Sequence, residues 1–531
     1  MMKKTIKKLL AALLAVAMVC AMAIPAFAYN PGETKEDLNT KHDYGAFQIF
    51  EGVISKDNET LSDVNWGSNI DPDNFLPQLK SADTIGPLFA NANSAQDVLE
   101  VISQWHDSDD NSIAFARVVC HYLYPDANAN PTPVATDHTG GINIPKSGYY
   151  LIVDTSTFSD DDFYHAYNSF FLLNVPQTPY VVLVNHKVVK PTVEKEVYDN
   201  NDIGSTGGWG SSADHAINEP FQFRLIAKLP ASENNGRAYD YYKKYTVCFN
   251  DTLSDGITFD KLDTVEITNG DGSTPQVINN YTLDPNDPQS SFKLSIDDVK
   301  TCVPDLNKGA TITVTYTAHL NDKATVNTAN GSKTTDNKNS VYLEYSNNPR
   351  IDTSLDHTIT SEVCVYTYQL NNTKYRDEVN ENNKLAGAGF RLYSNEACNA
   401  EDEIKLKMND DGTYSRDFST EGKGVEMRSN KDGQFNVKGL DAGTYYLKET
   451  TPPEGFTSCS VIPPVTITAN HTKDHVDLSG NLSTTIINKK AGGITLPSTG
   501  GIGTTLFYVV GGGLMVAAIV LLVTKKRMEN K

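Results

Sequence analysis

Short runs in which apolar and polar residues alternate, broken by Asn, Asp and Gly, constrain this 531-residue chain more than any other feature. Thr311-Ile312-Thr313-Val314-Thr315-Tyr316 is one such run, and Asn269-Gly270-Asp271-Gly272 is one of the breaks. Successive side chains of a strand point to opposite faces, so alternation predicts strands with one face buried. From Pro191 to about Pro349, and again from Glu362 to Asn488, the chain reads as strand and turn almost throughout. Many short strands joined by regular turns predict β-sandwiches in series.

The first region, about Tyr29 to Val188, is mixed. Ser94 reads as a helix N-cap with Asp97 three residues on, opening a helix whose apolar face holds Val98, Val101, Ile102 and Trp105. Ser112 reads as the cap of a second helix with Ile113, Phe115, Val119 and Tyr122. Strand patterns surround them at Gly148-Tyr149-Tyr150-Leu151-Ile152-Val153 and Tyr180-Val181-Val182-Leu183-Val184. The expected fold is mainly β: tandem immunoglobulin-like (prealbumin-like) β-sandwich domains, the first with added helices. An N-terminal signal peptide and a C-terminal transmembrane helix flank them. The expected divisions are a signal peptide at 1–28, an N-terminal domain at 29–190, a second sandwich at 191–350 and a third at 362–490. A stem at 491–495, a motif at 496–500, an apolar span at 506–523 and a basic tail at 524–531 complete the chain.

Both ends carry export signals. Four lysines precede an apolar stretch from Leu9 to Ile24, and Ala26-Phe27-Ala28 supplies small residues for cleavage between Ala28 and Tyr29. Residues 506–523 are 18 uncharged residues followed by Lys525, Lys526 and Arg527. As a helix they reach about 27 Å, roughly a bilayer core, with the basic cluster on the cytoplasmic side. Leu496-Pro497-Ser498-Thr499-Gly500 stands just before this span, and the whole arrangement resembles the LPXTG wall-sorting signal of Gram-positive surface proteins. That resemblance implies sortase cleavage between Thr499 and Gly500, and covalent attachment to the cell wall after only a transient stay in the membrane.

Removing both signals leaves 471 residues with 37 basic and 65 acidic side chains, a net charge of −28. Nucleic acid is excluded as a partner, because neutralising phosphates needs a basic face. A strongly acidic, self-repelling surface suits a soluble exterior. Six cysteines remain, Cys120, Cys248, Cys302, Cys364, Cys398 and Cys459, widely spaced and without a CxxC pair. Mostly buried or unpaired thiols are expected, and neither a metal nor another cofactor. Asp160-Asp161-Asp162 with His165, and the stretch from His106 to Asp110, read as solvated acidic turns without EF-hand spacing. No GxSxG, HExxH or P-loop is present, so no enzyme is expected in the ordinary sense.

In the third block, Tyr445-Tyr446-Leu447-Lys448-Glu449-Thr450-Thr451-Pro452-Pro453-Glu454-Gly455-Phe456 resembles the E-box of pilin and collagen-adhesin B-type domains. Leu370-Asn371-Asn372-Thr373-Lys374 before Leu385-Ala386-Gly387-Ala388-Gly389-Phe390, and Ile486-Ile487-Asn488-Lys489 at the end, complete that pattern. The resemblance implies an intramolecular isopeptide bond between Lys374 and Asn488, promoted by Glu449. Period-2 alternation agrees, placing Lys374 with Tyr366, Tyr368 and Leu370, Glu449 with Tyr445 and Leu447, and Asn488 with Ile486. Burial disfavours charge, which favours a neutral amine nucleophile and a protonated acid able to polarise the amide.

The second block carries the same logic at different spacing. Lys195 shares a face with Val193 and Val197, and Asn347 with Leu343 and Tyr345. Phe249-Asn250-Asp251-Thr252-Leu253-Ser254-Asp255-Gly256 resembles the motif whose aspartate assists in the second domain of the family. The set read from this is Lys195, Asp251 and Asn347, with Asn348 as rival because a one-residue slip flips the face. The first block repeats Gly148-Tyr149-Tyr150-Leu151 against Gly443-Thr444-Tyr445-Tyr446-Leu447, but Val153 stands where Glu449 would map, so no isopeptide bond is expected there.

Between the first two blocks lies Val184-Asn185-His186-Lys187-Val188-Val189-Lys190-Pro191. In shaft pilins a lysine at this junction attacks the sortase-bound threonine of the next subunit. Lys187 matches by position, with Lys190 as alternative, although Asn185-His186 replaces the usual Tyr-Pro. Nearly the whole chain thus resembles an LPXTG-anchored, isopeptide-forming major pilin with a SpaA-type C-terminal domain. The partners this implies are sortase, other copies of the chain through Lys–Thr links, minor pilins, peptidoglycan and host surface ligands. A monomeric wall-anchored adhesin would share every feature except the role of Lys187.

Overall fold

A computed structural model describes residues 42–54, 61–106, 109–137, 141–158, 165–175, 180–183, 190–200, 207–232, 236–287, 291–419, 424–459, 461–492, 514–523 and 525–526. The first unit holds a five-stranded sheet in the order Leu61–Trp66, Tyr44–Ile54, Gly148–Asp154, Phe171–Val175, with Ala135–Asp137 also pairing on Tyr44–Ile54. Helices Pro72–Lys80, Ala95–Ile102 and Asp110–Leu123 pack on it through Phe75, Val98, Phe115 and Val119. Ser94 caps as its sequence predicts: its Oγ accepts from the Asp97 amide at 3.2 Å, and the Asp97 carboxylate accepts from the Ser94 amide at 3.0 Å. Ser112 does not cap. The last helix starts earlier, after Asp109, and Ser112 is buried in its first turn, its hydroxyl donating to the His106 carbonyl at 2.7 Å.

The second unit is a two-sheet sandwich. Its six-stranded sheet runs Gln276–Val277, Ile257–Asn269, Ala310–Leu320, Pro220–Leu229, Thr192–Asp199, Gly208–Gly210. Facing it are Ser212–Asp214, Ser361–Tyr366, Lys338–Ser346, Val247–Leu253, Ser291–Ile296 and Thr282–Asp287, with Leu355–His357 at the side. Ala310–Leu320 alternates between buried and half-buried along its whole length, as its Thr/apolar sequence predicts. Val314, Tyr316, Phe223, Leu343 and Tyr345 fill the space between the sheets.

The third unit pairs a five-stranded sheet, ordered Leu406–Met408, Tyr414–Arg416, Val437–Leu440, Tyr368–Arg376, Ser483–Asn488, with a larger one containing Val476–Gly480, Val465–His471, Gly443–Thr451 and Gly389–Tyr393. Two sequence boundaries need correction here. Ser361–Tyr366 pairs with Lys338–Ser346 and Ser212–Asp214, so the second sandwich extends to Tyr366 rather than stopping at 350. Thr367 alone separates it from Tyr368, which opens the third, where 362 was expected.

The units also interlock. Gly331–Lys333, from the second, adds a strand to Val476–Gly480 of the third. Gly439 approaches Ile217 so closely that the Ile217 amide donates to its carbonyl at 3.0 Å. A Cβ at Gly439 would meet Ile217 carbons at 2.5 Å, and its φ of +72° is one that glycine adopts without strain. On the other side, the Tyr167 amide donates to the Asn347 carbonyl at 2.8 Å, and the Arg350 guanidinium lies over the Tyr124 and Tyr167 rings at 5.0 and 4.5 Å. Near the C-terminus, residues 514–523 form a helix with exposed Leu514, Val516, Ile519 and Leu522. Among the described residues no helix is long and apolar enough to cross a membrane, and the rest of the expected 506–523 span lies outside them.

Candidate functional site: two buried lysine clusters

Among the described residues two lysines are buried, Lys195 and Lys374, one in each of the last two sandwiches. Tyr368–Arg376 and Ser483–Asn488 run side by side in parallel, with Lys374 opposite Ile486 and Asn488 opposite Arg376. Leu370, Asn372 and Lys374 point inward, while Asn371 and Thr373 are half-buried. Glu449 enters from the facing sheet, on Gly443–Thr451 opposite Phe390. The Lys374 amine donates to Asn488 Oδ1 at 2.5 Å, and Asn488 Nδ2 donates to Glu449 Oε1 at 2.7 Å. That carboxylate oxygen also stands 3.6 Å from the amine. Its other oxygen accepts from the Cys459 amide at 2.6 Å and the Ser458 hydroxyl at 3.3 Å, which fixes its direction. Phe390, stacked on Phe435 at 4.2 Å, places its ring 5.8 Å from Lys374 Nζ. Burial lowers the Lys374 pKa from its ordinary value, against the pull of Glu449.

The cluster in the second sandwich has a different membership from that read in the sequence. Lys195 Nζ contacts Asp251 directly, and the Tyr316 hydroxyl completes a triangle, 3.0 Å from the amine and 3.0 Å from Asp251 Oδ1. The rings of Phe223 and Tyr316 each lie 5.3 Å from the amine. Complete burial brings the Lys195 amine down to about 8 and raises the Asp251 carboxyl, so both groups are pushed toward their neutral forms.

Asn347 does not join them. Its strand ends at Ser346, and the chain beyond turns onto the first unit, where Asn347 Oδ1 accepts from Ser354 at 2.8 Å. Asn348 Oδ1 instead accepts from the Arg350 amide and guanidinium at 3.0 and 3.2 Å. The residue at the site is Asn339, fully buried on the same face as Val341, Leu343 and Tyr345. Its Nδ2 donates to the Tyr316 hydroxyl at 2.5 Å, and its Oδ1 is buried without a hydrogen-bond partner. Alternation fits Asn339 and Asn347 equally well. What distinguishes them is the position of the strand end, which alternation does not encode. Tyr316 was visible only as the end of an alternating run.

In the first unit the corresponding inner corner holds no lysine among its described residues. His42 Nδ1 lies 2.6 Å from Asp154 Oδ2, and Asn168 donates to the Tyr44 hydroxyl at 2.9 Å. Lys190 sits partly exposed just before Thr192–Asp199. Lys187, the Ala28–Tyr29 cleavage point and the Leu496–Gly500 motif lie outside the described residues. The six cysteines are unpaired, with Cys120, Cys248 and Cys364 buried.

Residues 368–481 match the family described as SpaA, a prealbumin-like fold domain, and residues 488–530 match the LPXTG cell wall anchor motif. No match exists among curated proteins. Solved structures similar to the chain include the T6 backbone pilin of serotype M6 Streptococcus pyogenes, at 15% identity over 86% of this chain and 97% of that one, with a TM-score of 0.45. The full-length major pilin SpaD from Corynebacterium diphtheriae aligns at 16% identity over 85% and 93% of the two chains, with a TM-score of 0.40. The group B streptococcus pilus 2b backbone protein aligns at 23% identity over 54% and 97%, with a TM-score of 0.38.

Proposed function

From a cell-wall-anchored surface chain that ends in a SpaA-type prealbumin-like domain, we propose a structural subunit of a covalently polymerised pilus, each subunit stiffened by internal Lys–Asn isopeptide bonds. The observation that carries this reading is the Lys374–Glu449–Asn488 contact inside the matched domain. A buried lysine held next to one carboxylate is a poor stabiliser as an ion pair, because desolvating both charges costs several kcal/mol. As a reactant the same arrangement is favourable. The neutral Lys374 amine attacks Asn488 Cγ, forming the new C–N bond. Glu449 stands within reach of both nitrogens, so it relays the amine proton to Nδ2. The Cγ–Nδ2 bond breaks and ammonia leaves. One amide replaces another, and two buried charges vanish.

Lys195, Asp251 and Asn339 support the same reaction in the second sandwich, with Asp251 as proton relay and Tyr316 holding both Asp251 and the amide. Each reaction happens once per molecule, on the molecule itself, so the protein is not an enzyme in the ordinary sense. In the third domain the link joins the opening strand to the closing one, and tension along the chain passes through a covalent bond that no reductant opens.

Polymerisation follows from the ends. A sortase cleaves after Thr499 and holds the new carboxyl end as a thioester, which Lys187 (alternative Lys190) of another subunit displaces. Such head-to-tail contact does not close on itself and generates a fibre. A cell-wall amine ends growth. The test is a wall digest, boiled in denaturant and blotted for this chain. A ladder of high-mass bands that disappears in Lys187→Arg or Lys190→Arg supports the shaft. A single band near monomer mass replaces it with a monomeric wall-anchored adhesin.

A further inference from the structure

We infer that the inner corner of the first unit is an open linkage site, with Asp154, Asn168 and Tyr44 in place and His42 where an amine would stand. This rests on the reading of the Lys195 cluster as a reacting set. The four residues come from three separate segments. His42 and Tyr44 share one parity at the start of Tyr44–Ile54, Asp154 pairs directly opposite Tyr44 at the end of Gly148–Asp154, and Asn168 precedes Phe171–Val175. All four are buried. Aligned against Glu449 the first unit offers Val153, and its acid stands one residue later.

The groups correspond one by one. In the second sandwich an amine touches an acid, and one tyrosine hydroxyl joins that acid to the asparagine amide. In the first unit His42 Nδ1 lies 2.6 Å from Asp154 Oδ2. Asn168 Nδ2 donates to the Tyr44 hydroxyl at 2.9 Å and to Asp154 Oδ2 at 3.3 Å, and it lies 3.2 Å from His42 Nδ1. The Phe158 ring stands edge-on to the imidazole at 5.7 Å, much as the Phe223 and Tyr316 rings flank the Lys195 amine. Asp154 is also fixed from behind. Its Oδ1 accepts from the Ser156 hydroxyl at 2.6 Å and the Ser156 amide at 3.1 Å, and its Oδ2 from the Asn168 amide at 2.8 Å. Burial pushes this carboxyl up, but the bonds from His42, Ser156 and Asn168 outweigh it and hold the group below its ordinary value. It is a carboxylate able to take a proton from a neighbouring nitrogen.

An imidazole cannot close the site. Attack of Nδ1 on Asn168 Cγ would give an acyl-imidazole, a weaker acyl bond than the amide it replaced, and ammonia would reverse it. The opening strand is therefore tied to Asp154 and Asn168 by hydrogen bonds alone. A lysine side chain exceeds an imidazole by about the gap between Nδ1 and the amide, so an amine on the same Cα reaches Asn168 Cγ. Its nitrogen attacks Cγ, Asp154 takes the amine proton and passes it to Nδ2, the Cγ–Nδ2 bond breaks and ammonia leaves. The native chain thus carries links in the second and third domains, while its first unit stays open.

The experiment is intact mass of the full mature chain and of its His42→Lys variant. The native chain is expected to lack two ammonias and the variant three. The third loss should vanish in His42→Lys/Asn168→Ala, and peptide mapping should join position 42 to Asn168. A native chain lacking fewer than two ammonias sinks the reading of the Lys195 and Lys374 clusters, and this corner is then judged by the variant's one additional loss. A folded His42→Lys chain with no additional loss overturns the open site. So does a native chain already missing an ammonia from Asn168. Should His42→Lys fail to fold by circular dichroism, His42→Ala incubated with ethylamine takes its place. A mass gain of ethylamine less ammonia, mapped to Asn168, is the expected result there, and an unmodified Asn168 overturns the proposal.

Discussion

Lys374 and Asn488 stand on neighbouring parallel strands, displaced by two residues, with the amine 2.5 Å from the amide oxygen and Glu449 touching the amide nitrogen. That displacement lets a long lysine reach along the sheet to an asparagine, and it keeps both side chains on the inner face. If this contact is a reacting pair, Glu449→Ala leaves the third domain unlinked. The intact mass of residues 29–499 then exceeds that of the native chain by one ammonia. Lys374 and Asn488 are 114 residues apart, and closing a loop of that size is worth about 5 kcal/mol by the chain-entropy estimate. The variant's melting transition for this domain should fall accordingly. An unchanged mass would leave Glu449 with no part in the chemistry.

The second sandwich separates the two asparagine assignments. Asn339→Ala should retain the ammonia of that domain, because Asn339 touches the Tyr316–Asp251–Lys195 triangle. Asn347→Ala should not, since its amide bonds Ser354 at the junction with the first unit. Mass spectrometry of the two variants decides, with tryptic mapping to find the peptide that carries the cross-link.

Tyr316 touches the amine, the acid and the amide with one hydroxyl. Removing a single positioned donor of this kind slows acyl-transfer chemistry by about a hundredfold. Tyr316→Phe is therefore expected to fold and to cross-link slowly, giving two mass species that converge over time. A fully linked protein at the earliest time point would show the hydroxyl to be only structural.

The same slowed variant reports the protonation state. The Lys195 amine sits at about 8, below its ordinary value, because burial penalises its charge. The neutral amine is the nucleophile, so the linking rate should climb as pH passes upward through about 8 and fall below it. The unlinked precursor carries the matching stability signature. A depressed lysine pKa means the unfolded chain binds more protons between the folded and ordinary values, so this lysine's penalty is full below about 8 and is relieved as pH rises. A rate flat across that range would assign the slow step elsewhere.

The third domain was readable from sequence because its cues are local: the E-box, the lysine and the asparagine each lie on alternating strands whose inner face is obvious. The second was half readable. Lys195 and Asp251 are flanked by apolar neighbours of the same parity, whereas the asparagine depended on where Lys338–Ser346 ends. Beyond that end the Asn347 carbonyl accepts from the Tyr167 amide and Arg350 lies over the Tyr124 and Tyr167 rings, a tertiary contact with no periodic signature. The boundary at Thr367 was obscured in the same way, since Ser361–Tyr366 belongs by pairing to one sandwich and by continuity to the next.

Gly439 tests whether the last two domains act as one body. A side chain at this position would place its Cβ 2.5 Å from Ile217, across the junction, at a φ of +72° that disfavours any residue with a Cβ. Gly439→Ala is expected to cost about 1–3 kcal/mol through that conformation, and more if Ile217 cannot withdraw. The clash falls on the contact between domains and not on either Lys–Asn cluster. The expected result is a chain that keeps its cross-links by mass but shows greater bending by small-angle scattering, with the two sandwiches melting apart. If the variant melts as the native chain does and scatters as an equally rigid rod, the strand Gly331–Lys333 paired to Val476–Gly480 is holding the junction without help from Gly439.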